Sequence, residues 1–281
     1  MNNRLPGKFL LYAILLIFVS AVPGCNKTSE LARDNPFDTD ASREPVKWIR
    51  CFGYLLEFSH DLDISQLAVW PNGSPENIFG STVDLWNQNG LVLGVCQTDS
   101  WPTLWSGLQA AGGKPLGKYC GIVHNRHDVT EFQIRGIEDE TSIFVTDGQS
   151  RQPRGYTLVQ GQFFVRLNFV PLNLGQANQQ ISLGVVPLFR ESKERYRLTQ
   201  GETGDLRPVL EKRNMFFEQL VLNGTVDDKA IICIAPRHHA GNPGTLGRYL
   251  LSDEQKSPKT QFVLLLKPEI FTAYKAKRNV D

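Results

Sequence analysis

Residues Leu246–Phe271 read LGRYLLSDEQKSPKTQFVLLLKPEIF. A short Leu-Gly-Arg loop and a charged tongue lead into an almost unbroken apolar run, Phe262–Leu266, which Lys267 and Pro268 stop. A strand with one wet face alternates apolar and polar residues, whereas a strand covered on both faces reads as continuous apolar sequence. Phe262–Leu266 is of the second kind. It is either the central strand of a single domain or part of a sheet closed by other subunits.

Working back from this strand, the chain is rich in further strand candidates. They are GYTLVQGQFFVRLNFVPL (155–172), NQQISLGVVPLFR (178–190), MFFEQLVLN (215–223) and KAIICIAPR (229–237). Several end in Pro, at Pro171, Pro187, Pro236 and Pro268, and Pro terminates a strand because it cannot donate to the ladder. The polar stretch ESKERYRLTQGETGDLRP (191–208) reads as a solvated excursion between strands. Before Gly148 the pattern is mixed. Strands are expected at VKWIRCFGYLLEF (46–58), LVLGVCQ (91–97), EFQIRGI (131–137) and TSIFVTDG (141–148). Helices are expected at STVDLWNQNG (81–90), stopped by Gly90, and at DSWPTLWSGLQAAGG (99–113), where Trp101, Leu104, Trp105 and Leu108 share one face. The expected fold class is α+β. A small α+β domain spans 46–148, and a mostly antiparallel β-domain spans 149–281.

The amino terminus, MNNRLPGKFLLYAILLIFVSAVPGC (1–25), has a basic head, an apolar run from Phe9 to Val19 and small residues before a cysteine. The apolar run is short for a membrane-spanning helix, and the pattern is that of a secretory signal. The ending VPGC resembles a bacterial lipobox, which implies a signal peptide over 1–24 and diacylglycerol on Cys25. The resemblance also implies a membrane partner through that lipid, with Asn26 in place of Asp favouring the outer membrane and a periplasmic orientation. Residues 25–45 read as a flexible tether.

The carboxy-terminal homology domain of bacterial secretins has a strand rhythm that part of this chain resembles. FFVRLNFVPLNLGQANQQISLGVVP (163–187) is similar to its first antiparallel pair, and FFEQLVLNGTVDDKAIICIAP (216–236) occupies the place of its Gly-rich strand pair. GTLGRYLLSDEQ (244–255) looks like its Pro-Leu-Leu-Gly-x-Leu-Phe loop, and QFVLLLKPEI (261–270) its final strand. The double glycine of that family is absent; Ile234-Ala235-Pro236 stands there. The resemblance implies a secretin-like β-domain on an anchored lipoprotein, with protein partners or self-association in the cell envelope.

No catalytic constellation emerges, no cofactor is implied, and the expected role is non-enzymatic. The formal net charge is +1, with Lys and Arg spread along the chain, which excludes the basic surface that nucleic-acid binding requires. His60, Asp61 and Asp63 lie together without a Gly-x-Ser-x-Gly nucleophile elbow, and read as turn residues. The alternative metal-ligand set for a hydrolase is His124, His127, His238 and His239, which fall in loops. Trp70, Trp86, Trp101 and Trp105 cluster in sequence, and a groove lined by them is the alternative ligand or peptide site. Cys51, Cys96, Cys120 and Cys233 are the possible disulfide cysteines of an exported chain, and all three of their pairings stay open.

Overall fold

The computed structural model describes residues 43–59, 62–123, 129–148, 152–172, 179–200, 205–237, 244–253 and 259–276. Pro45–Tyr274 is one compact unit. Met1–Glu44 with Lys275–Asp281 is a second, nearly all of it outside the described residues, as are the expected signal peptide and Cys25.

The strands in chain order are β1 (Arg43–Phe58), β2 (Leu91–Gln97), β3 (Lys114–Val123), β4 (Val129–Ile137), β5 (Thr141–Thr146), β6 (Pro153–Leu158) and β7 (Gly161–Leu172). β8 (Gln180–Gln200), β9 (Leu206–Phe216), β10 (Leu222–Asp227), β11 (Ala230–Pro236), β12 (Ser252–Asp253) and β13 (Thr260–Ala276) follow. The α-helices are α1 (Glu76–Phe79), α2 (Thr82–Gln88), α3 (Trp101–Ala110) and α4 (Leu246–Leu251). The fold is mostly antiparallel β. A six-stranded sheet runs β2-β11-β13-β1-β3, with β12 on β13; a five-stranded sheet runs β10-β8-β7-β4, with β9 on β8; β5 and β6 form a separate pair.

The apolar run of β13 is explained by this order. β13 sits in the middle of the six-stranded sheet, against β11 through Ile232↔Leu266, Cys233↔Leu265 and Ile234↔Leu264. Phe262, Leu264 and Leu266 enter the main core, which they share with Phe163, Val165 and Leu167 of the five-stranded sheet. Val263 and Leu265 face the other way, into a second core with Leu104 and Leu108 of α3. β11 is buried along its whole length for the same reason. Both faces of the central strands are therefore covered from within one chain.

The strands before and after Gly148 are interleaved. β1, β2 and β3 share a sheet with β11 and β13, so the compact unit does not divide at the expected boundary between 148 and 149. Sequence order suggested two domains because neighbouring strands in sequence often pair, whereas β2 finds its partner in β11 over seven residue pairs from Ala230↔Gln97 to Pro236↔Leu91. The segment 216–236 supplies β10 and β11 to different sheets rather than forming a strand pair. The Leu-Gly-Arg loop is instead the start of helix α4, and β3 was not anticipated.

One buried polar residue ties the helical layer to the strands. Asn89, 1% exposed, donates from Nδ2 to the carbonyls of Leu85 (2.8 Å) and Thr146 (3.0 Å) and accepts at Oδ1 from the Thr146 amide (2.8 Å). Its own carbonyl accepts from the Gly247 amide at the start of α4 (2.8 Å). Gly90 follows at φ 79, and a Cβ there would lie 2.4 Å from Thr245 Oγ1, so this turn admits only glycine without rearrangement.

Candidate functional site

The outward side of the five-stranded sheet carries aromatic rings roofed by arginines. Arg166 lies 4.5 Å over the ring of Phe216, and Arg190 lies 4.7 Å over Phe164. Glu131 on β4 fixes both: it accepts from Arg166 Nε at 2.8 Å and from Arg190 Nη2 at 2.7 Å. Long guanidinium side chains thus cover apolar surface while their heads stay hydrated. Burial pushes the Glu131 carboxyl up, but the two guanidiniums outweigh it and hold its pKa below the usual glutamate value. A carboxyl depressed in the folded state stabilises above its unfolded pKa, and that contribution fades as pH falls through the folded value. Glu131→Gln is expected to cost about 1 kcal/mol at neutral pH, because the pair is partly hydrated. The deficit should shrink in acid, as urea unfolding of both proteins from pH 7 downward would reveal; a deficit constant with pH would contradict this assignment.

Beyond that roof, β8 outruns its neighbours. β10 pairs only Gln180–Val185, and β7 pairs only as far as Glu191. The Ser192 amide makes a last bond to the Gln160 carbonyl at 2.9 Å. From there β8 pairs with β9 alone. The register shifts between Arg190 and Glu194, a bulge that re-aims the two strands. At this bulge the Glu191 side chain is 5% exposed, with Arg195 at 2.9 Å and Arg213 at 3.6 Å.

The two strands then form a ribbon with a sharply apolar face. Directly opposite residues share a face, and alternate rows point to alternate sides. Glu194↔Lys212, Tyr196↔Leu210, Leu198↔Pro208 and Gln200↔Leu206 are rows of one face. Arg195↔Glu211 belongs to the other. Tyr196 is 79% exposed, Leu206 66%, Leu198 63% and Leu210 50%. Along β9 this face continues into Asn214 and Phe216, the side turned away from the sandwich core. The sandwich core, on the opposite side, therefore does not bury it. The stretch expected as a solvated excursion is thus an amphipathic ribbon.

A second aromatic surface lies on the outer face of the six-stranded sheet. Trp101 and Trp105 of α3 stack with ring centroids 5.1 Å apart, and Tyr54 of β1 packs 4.8 Å from Trp101 and 5.6 Å from Trp105. Lys118 sits 4.4 Å over Phe52, and Arg50 approaches the same ring at 4.7 Å. The two cations cover Phe52, while Trp101, Trp105 and Tyr54 pack on one another. Trp70 and Trp86 are core residues, so the expected four-tryptophan groove is reduced to Trp101 and Trp105.

A cleft of about 210 Å³ lies beside β4 and α4. Arg135 spans it, donating to the Ser252 carbonyl and pairing with Asp253 at 3.3 Å. Burial lowers the Arg135 pKa while Asp253 opposes that. Asp139, Thr141, Arg248 and Tyr249 line the rest of the cleft.

Among the described residues the cysteines form no disulfide. Cys51 and Cys120 occupy adjacent register positions, Cys51↔Gly121 and Phe52↔Cys120, and so point to opposite faces. Cys96 and Cys233 share the face under α3 and are hydrogen-bonded thiols. The bond from Cys233 lowers the Cys96 pKa against the effect of burial, whereas burial and Cys96 push Cys233 up. Burial raises Cys51 strongly. Thiolates are the reactive form, so iodoacetamide on the native protein should modify exposed Cys120 first and half-buried Cys96 second. Cys51 and Cys233 should react only after unfolding, as peptide mass mapping would report; early labelling of Cys51 would contradict the burial.

Of the expected chemical residues, Asp63 is a turn former: its Oδ1 accepts from the Ser65 amide at 3.2 Å. His60, Asp61, His124, His127, His238 and His239 lie outside the described residues, as does Cys25. Among the described residues no helix is long and apolar enough to cross a membrane. No protein-family model, curated protein or solved structure matches this chain.

Proposed function

We propose that this protein is a non-enzymatic, lipid-anchored component of a bacterial envelope assembly, tethered at Cys25 on the periplasmic face of the outer membrane. The observation that carries the reading is the β8–β9 ribbon, whose apolar face is exposed on the side its own core cannot reach. Monomeric proteins seldom leave contiguous apolar patches uncovered unless something docks there. The lipobox and the tether support attachment to a membrane. The antiparallel β7–β8 pair, with twelve residue pairs from Gly161↔Glu191 to Leu172↔Gln180, supports the secretin-like element of this reading. The division of 216–236 between two sheets speaks against close secretin geometry.

The test is made in cells producing the full chain. A photo-crosslinking side chain at Leu198 is expected to give discrete higher-mass adducts, while the same group at Gln109, exposed on α3, gives none. Cys25→Ser is expected to abolish incorporation of an alkyne fatty acid and release the protein from membranes. Absence of adducts at Leu198 would end the assembly role, and unchanged fractionation of Cys25→Ser would end the lipid anchor.

The stacked Trp101 and Trp105 beside Tyr54 favour a second reading, a binder of an aromatic or proline-rich peptide. Its signature would be saturable quenching of tryptophan fluorescence, lost in Trp105→Ala.

A further inference from the structure

We infer that the apolar face of the β8–β9 ribbon is the contact with a second copy of this chain, related by a two-fold axis running along the ribbon. The inference rests on the assembly role proposed above and names its partner.

Three observations select this occupant. The first is length. The uncovered rows run from Tyr196–Leu210 to Gln200–Leu206, roughly 15 Å of strand, against a hydrocarbon layer of about 30 Å. The same face carries Glu194 and Lys212 immediately below. This ribbon cannot span a bilayer.

The second is the edge. Pro208, Lys212 and Arg213 lie on β9, which pairs on one side only among the described strands. Proline and cations on an edge strand block the addition of another strand. The partner therefore packs on the face rather than extending the sheet.

The third is charge and pattern. A two-fold axis along the ribbon lays β8 of one copy over β9 of the other. Each row then meets its own reverse. Glu194 faces Lys212 of the second copy, and Lys212 faces its Glu194. Tyr196 meets Leu210, and Leu198 meets Pro208. The row is self-complementary in charge and in shape class, as an isologous interface requires. Both copies also point their bodies the same way, which suits two chains anchored in one membrane. The exposed apolar residues offer on the order of 500 Å² per copy, so the pair sits near the lower limit of a specific interface. Tethering both copies to one surface raises their effective concentration and favours the dimer without new contacts.

The experiment is light scattering of the full chain extracted in mild detergent, over a range of concentrations. Wild type is expected to shift from monomer to dimer. Glu194→Lys and Lys212→Glu each put like charges on the row, and each alone should weaken dimerisation at least tenfold. Mixed together they are complementary only across copies, and the dimer should return. Leu198→Ser should remain monomeric, with unchanged circular dichroism and thermal unfolding. Wild type that stays monomeric, a ring-sized oligomer, or charge variants that dimerise like wild type would each overturn the inference. If wild type is monomeric while Leu198 still crosslinks to a different protein in cells, this inference fails and the assembly role stands. If Leu198 gives no adduct at all, the assembly role itself fails.

Discussion

Leu265→Ala is expected to lower the free energy of unfolding by about 2–5 kcal/mol, and Leu265→Asp to leave no cooperatively folded protein. Leu265 has no exposure, sits opposite Cys233 in the central pair of the six-stranded sheet, and packs under α3. Truncation to alanine removes its contacts and leaves a cavity that rigid sheet neighbours on both sides cannot close. Aspartate would add an unpaired charge where no water reaches. The whole domain is worth only about 5–15 kcal/mol, so the first change takes a large share and the second exceeds it. Urea unfolding followed by circular dichroism measures both. Gln109→Ala on the exposed side of α3 serves as the control and should stay within about 0.5 kcal/mol of wild type. A small effect at Leu265 would mean that β13 is not central.

Trp86→Ala should cost about 3–5 kcal/mol, and Trp86→Phe about 1–3 kcal/mol. Trp86 is fully buried on α2, and its Nε1 donates to the Leu220 carbonyl at 2.7 Å. The indole therefore joins the helical layer to the turn before β10. Phenylalanine restores much of the volume but leaves that carbonyl without its donor in a dry site. The gap between the two variants separates packing from hydrogen bonding. If Trp86→Phe matches wild type in chemical denaturation, the bond contributes nothing; if it matches Trp86→Ala, packing contributes little.

Much of the secondary structure was readable from sequence where one physical signal dominated. LVLGVCQ gave β2 with its observed bounds, because a short apolar run between the Gly90 turn and the polar Thr98-Asp99-Ser100 has few other solutions. The helix over 99–113 followed from the spacing of Trp101, Leu104, Trp105 and Leu108. The grouping of strands was not readable. β2 and β11 are joined by burial on both faces, a property that says a strand is central but not which strand lies beside it. The ribbon was missed for a different reason. Tyr196 and Leu198 do alternate with Arg195, Arg197 and Thr199 on β8, while Val209 breaks the alternation on β9, and Lys, Arg and Glu around them lower the mean hydropathy to that of a loop. Period-two alternation, rather than average polarity, was the available signal. The histidines read as alternative metal ligands and Cys25, read as a lipidation site, fall outside the described residues, so their reading rests on sequence.

The order β2-β11-β13-β1-β3 has a consequence for when the protein can fold. β13, which completes the middle of the six-stranded sheet, is the last of the described strands in chain order, and its neighbour β1 is the first. Every earlier intermediate lacks the element that closes both cores. Pairings of such long sequence separation form slowly, since the loop between them must be ordered before any contact repays it. A chain of this design keeps the six-stranded sheet open until β13 has been made. The seventeen-residue strand β13 is therefore the latch of the sheet: until it docks between β11 and β1, neither core is closed.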